Sequence, residues 1–97
     1  MRVYLAVTLD DLIALAAGDP VTAPAFLAAS QDEEDELAAL EEAAEQGDAA
    51  AAADLDDPDG PATLADVASF HVDVDGTGDL AWYATQEIDD VIRTLRP

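Results

Sequence analysis

The chain has 97 residues and carries twenty-three Asp and Glu against three Arg and no Lys, a formal net charge of −20 at pH 7. Such a surface repels nucleic-acid phosphates and anionic membranes, so a partner held by charge has to be cationic: a basic protein, a polyamine or a metal ion. With no cysteine, disulfides and thiolate metal centres are excluded.

The length suits one domain with a modest core. Of the 51% of residues that are hydrophobic, 22 are alanines, and only 23 residues are Leu, Ile, Val or Phe. That share lies just above the roughly 20% below which highly charged chains tend to stay disordered, so a folded but marginal domain is expected. Two further causes of acidity stand beside a functional one: a generic solubility surface, and adaptation to high salt. The apolar stretch before Asp10 and Asp11 is too short for a signal peptide or membrane span, and a cytoplasmic location is the expectation.

Arg2 to Val7 is β-branched and aromatic enough for a first strand. Thr8 is placed to cap a helix whose first turn holds Asp10 and Asp11, with Leu9, Leu12, Ile13 and Ala16 at helical spacing and Gly18 at its end. After a proline-bounded connection, Ala25 to Ala28 forms a short second strand. Ser30 and Glu33 have the spacing of a reciprocal helix cap. The helix that follows starts with five carboxylates and turns Leu37, Leu40 and Ala44 inward, stopping near Gly47. Asp48 then starts a short alanine helix through Ala53. Residues 30–60 hold 13 of the 23 acids with only Leu37, Leu40 and Leu55 as large apolar side chains, so this segment is expected to be the most mobile. Val67 to Val74 alternates as a strand, with Phe70, Val72 and Val74 on one face. A glycine turn returns it through Leu80 to Ala84. Thr85 caps a last helix, whose Ile88, Val91, Ile92 and Leu95 make the clearest amphipathic stripe of the chain. The sum is a single α+β domain over residues 1–97, with a three- to four-stranded sheet, a C-terminal β-hairpin and helices packed mainly on one face.

Few residues have the spacing of a chemical site. Asp73, Asp75 and Thr77 imitate the first ligands of an EF-hand loop, with Gly78 and Leu80 at the sixth and eighth positions. Ala84 stands where the bidentate glutamate is required, and the flanks are strands, so the stretch reads as a hairpin turn. His71, the only histidine, reads as an edge-strand residue paired with an acid, short of the imidazoles or thiolates that a metal site needs. Ser30 and Ser69 lie outside any nucleophile elbow, and carboxylate pairs are too abundant to be diagnostic of acid–base catalysis. Neither catalytic residues, nor a metal site, nor a cofactor is assigned. Trp82 and Tyr83 point to opposite faces of their strand, one to the core and one to a surface open to a ligand or partner.

Arg2-Val3-Tyr4, His71-Val72-Asp73 and the junction Trp82-Tyr83-Ala84-Thr85-Gln86-Glu87 together resemble an actinobacterial family of small proteins of unknown function. The likeness covers about half of the chain, at its two ends. Its members are longer, with a fuller central region and a further segment before the Trp-Tyr strand. The resemblance implies an α+β fold and an actinobacterial or actinobacteriophage source, and it carries no activity.

The expected function is that of a non-enzymatic interaction domain that binds a basic protein surface, without direct contact to nucleic acid or membrane. Its partner-binding residues are Asp32, Glu33, Glu34, Asp35 and Glu36, followed by Glu41, Glu42 and Glu45. An alternative is a decoy that mimics nucleic acid in the basic groove of a DNA- or RNA-binding protein. A third reading is a small enzyme around the junction; Tyr4, His71, Trp82, Tyr83, Gln86 and Glu87 form the possible secondary surface.

Self-repulsion among so many unbalanced charges is screened as the Debye length falls from ~10 Å at 0.1 M salt to ~3 Å at 1 M. The thermal midpoint is therefore expected to rise between low salt and molar sodium chloride. A flat or falling midpoint in thermal melts would show carboxylates spaced or paired too well for repulsion to matter.

Overall fold

A computed structural model describes residues 1–96 and confirms an α+β fold, with five strands and three helices. In chain order these are β1 (Arg2–Val7), α1 (Leu9–Ala16), β2 (Ala25–Phe26), α2 (Glu33–Gln46), β3 (Ala49–Asp54), β4 (Val67–Val72), β5 (Ala81–Ala84) and α3 (Ile88–Leu95). The sheet order is β2-β1-β3-β4-β5, and every neighbouring pair is antiparallel. Because β1 is antiparallel to both β2 and β3, those two run parallel to each other with β1 between them. The unit β2–α2–β3 is thus a split β-α-β crossover.

The sheet is larger than the three or four strands expected, and the extra strand is the alanine run. Alanine favours helix in isolation. Here Ala49 to Ala53 is fully buried between β1 and β4 with helices on both faces, an environment in which a continuous apolar run of four to eight residues fits a central strand. Odd-numbered Ala49, Ala51 and Ala53 join Val3, Leu5, Val7, Phe70 and Val72 under α1 and α3, forming the main core with Leu12, Leu15, Ile88 and Val91. Even-numbered Ala50 and Ala52 turn the other way, with Tyr4 and Ala6, to meet Ala39 and Ala43 of α2. Two helices therefore share one face, and the longest lies alone on the other.

The element ends show which cap signals hold. Thr8 Oγ1 accepts from the Asp11 N–H and the Asp11 carboxylate accepts from the Thr8 N–H, at 3.1 and 3.0 Å, the reciprocal cap in full. At α2 the cap residue is Asp32, two residues later than the Ser30–Glu33 spacing suggests; Ser30 Oγ instead accepts from the Asp32 N–H and donates to the Asp35 carboxylate. The helix consequently buries Ala39 and Ala43, with Leu40 half-buried and Leu37 52% exposed, not the expected Leu37–Leu40–Ala44 face. Thr85 does not cap α3. Its hydroxyl donates to the Val67 carbonyl at 2.7 Å, and a single 3-10 turn over Thr85–Glu87 leads into the helix.

Gly47 sets how closely α2 returns to the sheet. A Cβ there would lie 2.7 Å from the Val7 carbonyl oxygen and 2.8 Å from Ala6 carbonyl carbon, both backbone atoms of β1. The next residue fastens the turn: the Asp48 N–H donates to Val7 O at 2.8 Å, and the Asp48 carboxylate accepts from the Leu9 N–H at 2.9 Å. Gly47→Ala is expected to cost about 1–3 kcal/mol, the range for overfilling a packed site. Denaturant unfolding of the variant measures it, and an unchanged midpoint would show that α2 and β1 separate freely at this corner.

Candidate functional site

α2 covers β2, β1 and β3 but leaves β4 and β5 of its sheet face open. Directly opposed residues of an antiparallel pair share a face, and the registers Ala52↔Ser69, Ala50↔His71 and His71↔Trp82 place Ser69, His71 and Trp82 on the α2 side. An open cleft of about 430 Å³ follows, with Glu33, Leu37 and Leu40 of α2 along one side and Tyr4, Ser69 and His71 in its floor. A smaller hollow of about 110 Å³ lies farther along α2, where Glu41 and Glu45 approach Asp73 and Leu80. Another, of about 760 Å³, opens beyond the first turn of α2 between Met1, Leu27, Gln31 and Glu36.

The carboxylates expected to bind a partner occupy one element. Asp32 caps α2; Glu33, Glu34, Glu41, Glu42 and Glu45 are exposed along it, whereas Asp35 and Glu36 are half-buried. Among the described residues none of them forms a salt bridge: Arg2 pairs with Asp54 at 3.0 Å and Arg93 with Asp90 at 2.8 Å. The last turn of α2 has no basic side chain, so the helix stays a nearly unrelieved anionic ridge beside the cleft.

The junction residues separate. Trp82 stands 63% exposed beside His71, whereas Tyr83 is opposite Phe70 and packs against the main core on the other face. Tyr4 is buried beneath α2, and burial, with the charge of Glu36 second, raises its pKa. Gln86 is exposed past the end of β5, and the Glu87 carboxylate accepts from the Ala84 N–H at 2.9 Å. Only Tyr4, His71 and Trp82 share the α2 face.

His71 departs from its expected setting in two ways. β4 lies inside the sheet, not at its edge, and the ring partner is Ser69, whose Oγ is 2.8 Å from His71 Nε2, not an acid. Ser69 is the one buried polar residue among the described residues; its position two residues before His71 puts both on one strand face, but nothing in the sequence signals that the two side chains pair. The pair has the first two members of a nucleophile–base–acid relay, but among the described residues no carboxylate is hydrogen-bonded to the imidazole to orient it. Nor is any group of three or more His, Asp or Glu side chains among them placed to hold a metal ion.

The loop between β4 and β5 uses its oxygens internally. Asp75 Oδ1 accepts from the Thr77 hydroxyl at 2.7 Å and from its N–H at 3.3 Å, and the Thr77 bonds lower the Asp75 pKa. Asp73 Oδ2 accepts from the Gly78 N–H at 3.0 Å, while Gly76 and Gly78 take the positive φ that the turn requires. This is turn chemistry in the stretch that imitates a calcium loop. No helix among the described residues is long and apolar enough to cross a membrane.

Burial lowers the His71 pKa, disfavouring the imidazolium. A group depressed on folding binds fewer protons in the native than in the unfolded chain, so the stability it supports is present above the unfolded value and declines as pH falls through the folded one. Since His71 is the only histidine, its ring protons should titrate in NMR with a midpoint below the ordinary ~6.5. A midpoint at or above that value would mean that the field of Glu33 and Glu36 outweighs burial.

Comparison with protein-family models, curated proteins and solved structures finds no match to this chain.

Proposed function

We propose that the protein is a non-enzymatic interaction domain whose α2 face receives a basic protein surface. The observation that carries this reading is the placement of charge: the carboxylates of α2 are unneutralised by any salt bridge among the described residues, and they border a part of the sheet, over β4 and β5, that α2 leaves open. A solvated acidic helix needs no cleft beside it. Here Leu37 and Leu40 offer apolar surface next to Glu33, and Trp82 stands exposed on the same sheet face, a combination suited to Lys and Arg, whose aliphatic stems pack on apolar groups while their heads reach carboxylates. Each exposed carboxylate adds little once screened, so the charge acts chiefly on the rate of encounter.

The test is kinetic. Replacing Asp32, Glu33, Glu34, Asp35 and Glu36 together by Asn and Gln keeps size and one acceptor oxygen on each side chain and should leave the fold intact, because the buried contacts of α2 with the sheet are made by Ala39 and Ala43. In stopped-flow mixing with a synthetic Arg-rich peptide at low salt, the variant should associate about tenfold more slowly, or slower still, while dissociation changes much less, and the difference should vanish at molar salt. An unchanged association rate, with binding lost on Trp82→Ala in a folded protein, would overturn the charge-led reading.

A further inference from the structure

We infer that the open edge of β5 receives an extended Lys- or Arg-bearing segment of the partner as a sixth, antiparallel strand, seated against Trp82. The inference rests on the reading of the chain as a receptor for a basic partner and adds the mode of docking. It starts from the main chain. β5 ends the sheet order, so one side of it has no neighbour. The Ala84 N–H donates to the Glu87 carboxylate and not to β4, which makes Ala84↔Ser69 a pair of the non-hydrogen-bonded kind. In an antiparallel ladder the two kinds alternate, so Trp82↔His71 is of the same kind, and the Trp82 N–H and C=O point outward to the free edge.

An added strand would exchange both of its central hydrogen bonds with Trp82, the usual way in which a peptide extends a sheet. The residue opposite Trp82 would then lie on the α2 face beside the indole, which is 63% exposed. The surroundings select its chemistry. Asp79 is exposed just before β5, Glu87 lies just after it, and Asp73 and Asp75 are exposed in the adjoining loop, whereas all three arginines lie in β1 or near the end of α3. A cation on that face meets the indole in a cation–π contact within an anionic field. Residues of the added strand that alternate with it fall on the opposite face, beside the half-buried Tyr83, where apolar side chains fit. A second copy of this chain is a poor occupant, because each copy brings a net charge of −20.

The probe is a capped synthetic peptide of alternating Arg and Val, followed by the fluorescence of Trp82, the only tryptophan. In the proposed register the Arg residues direct their N–H groups to β5 and the Val residues direct theirs to solvent. Two isomers with equal charge and composition separate main-chain pairing from simple attraction: one N-methylated on the Arg residues, one on the Val residues. The Arg-methylated isomer should bind at least tenfold more weakly, and the unmodified peptide should protect the Trp82 amide from hydrogen exchange. Equal affinities, or the reverse order, would overturn strand addition; if the α2 variant then weakened both isomers alike, the basic-partner reading would stand alone. Failure of all three peptides to bind at low salt would overturn both. A peptide-free dimer whose formation protects the Trp82 amide would assign the edge to a second copy and overturn the occupant proposed here.

Discussion

The structure depends on how small the side chains are where α2 meets the sheet. Ala39 and Ala43 lie on Ala50 and Ala52, and Gly47 lets the chain turn back within van der Waals distance of the β1 backbone. β3 has no side chain larger than a methyl between its first residue and Asp54. That is tolerable only because its neighbours supply bulk on the other face, where Leu5, Phe70, Leu12 and Leu15 fill the space that the alanines leave. Each layer is thus matched to the next by volume, small against small and large against small, as dense packing requires.

The two faces contribute unequally to stability. Burying a methylene-sized group is worth roughly 0.8 kcal/mol, against about 1.5–3 for a Val, Leu or Phe side chain. The α1–α3 face therefore holds most of the apolar stabilisation, and the α2 face, with Tyr4 as its one large buried side chain, holds the remainder. α2 is the helix least secured by burial, and it carries the densest charge. Its acidic first turn suits the positive end of the helix dipole, but Glu41, Glu42 and Glu45 lie toward the negative end without a basic residue to offset them. Keeping these costs in a helix with little core contact is the physical ground for assigning the ridge an outward purpose.

Much of this was legible in the residues. β1, the Thr8–Asp11 cap, the stripe of α3 and the hairpin turn at Gly76 and Gly78 each have a local cause, and each formed as that cause requires. Ala49 to Ala53 was not, because its local preference for helix is reversed by a long-range pairing with Arg2 to Val7. One clue lay in the chain: five consecutive apolar residues with none polar among them leave a surface helix no face to show to water. The phase of α2 was misjudged for a related reason. Leucines are normally the buried members of a helix, but against a strand of alanines the closest approach belongs to Ala39 and Ala43, and Leu37 is left at the rim. Of the site, the acidic ridge and Trp82 were visible. The cleft between them was not, since it exists only because α2 leaves β4 uncovered.

The split crossover has a consequence for how the chain is made. β1 precedes the other four strands of the sheet in the chain, yet it is interior, and its pairs with β3 join residues from Arg2↔Asp54 to Val7↔Ala49. During translation its apolar face waits until the ribosome has released the whole of α2 and β3, and such distant pairings close slowly. A nascent strand exposed in this way is prone to associate with others like it. The acidic segment that must emerge before β3 does so while β1 still lacks its β3 partner, so the charge of the finished domain also keeps unfinished chains apart.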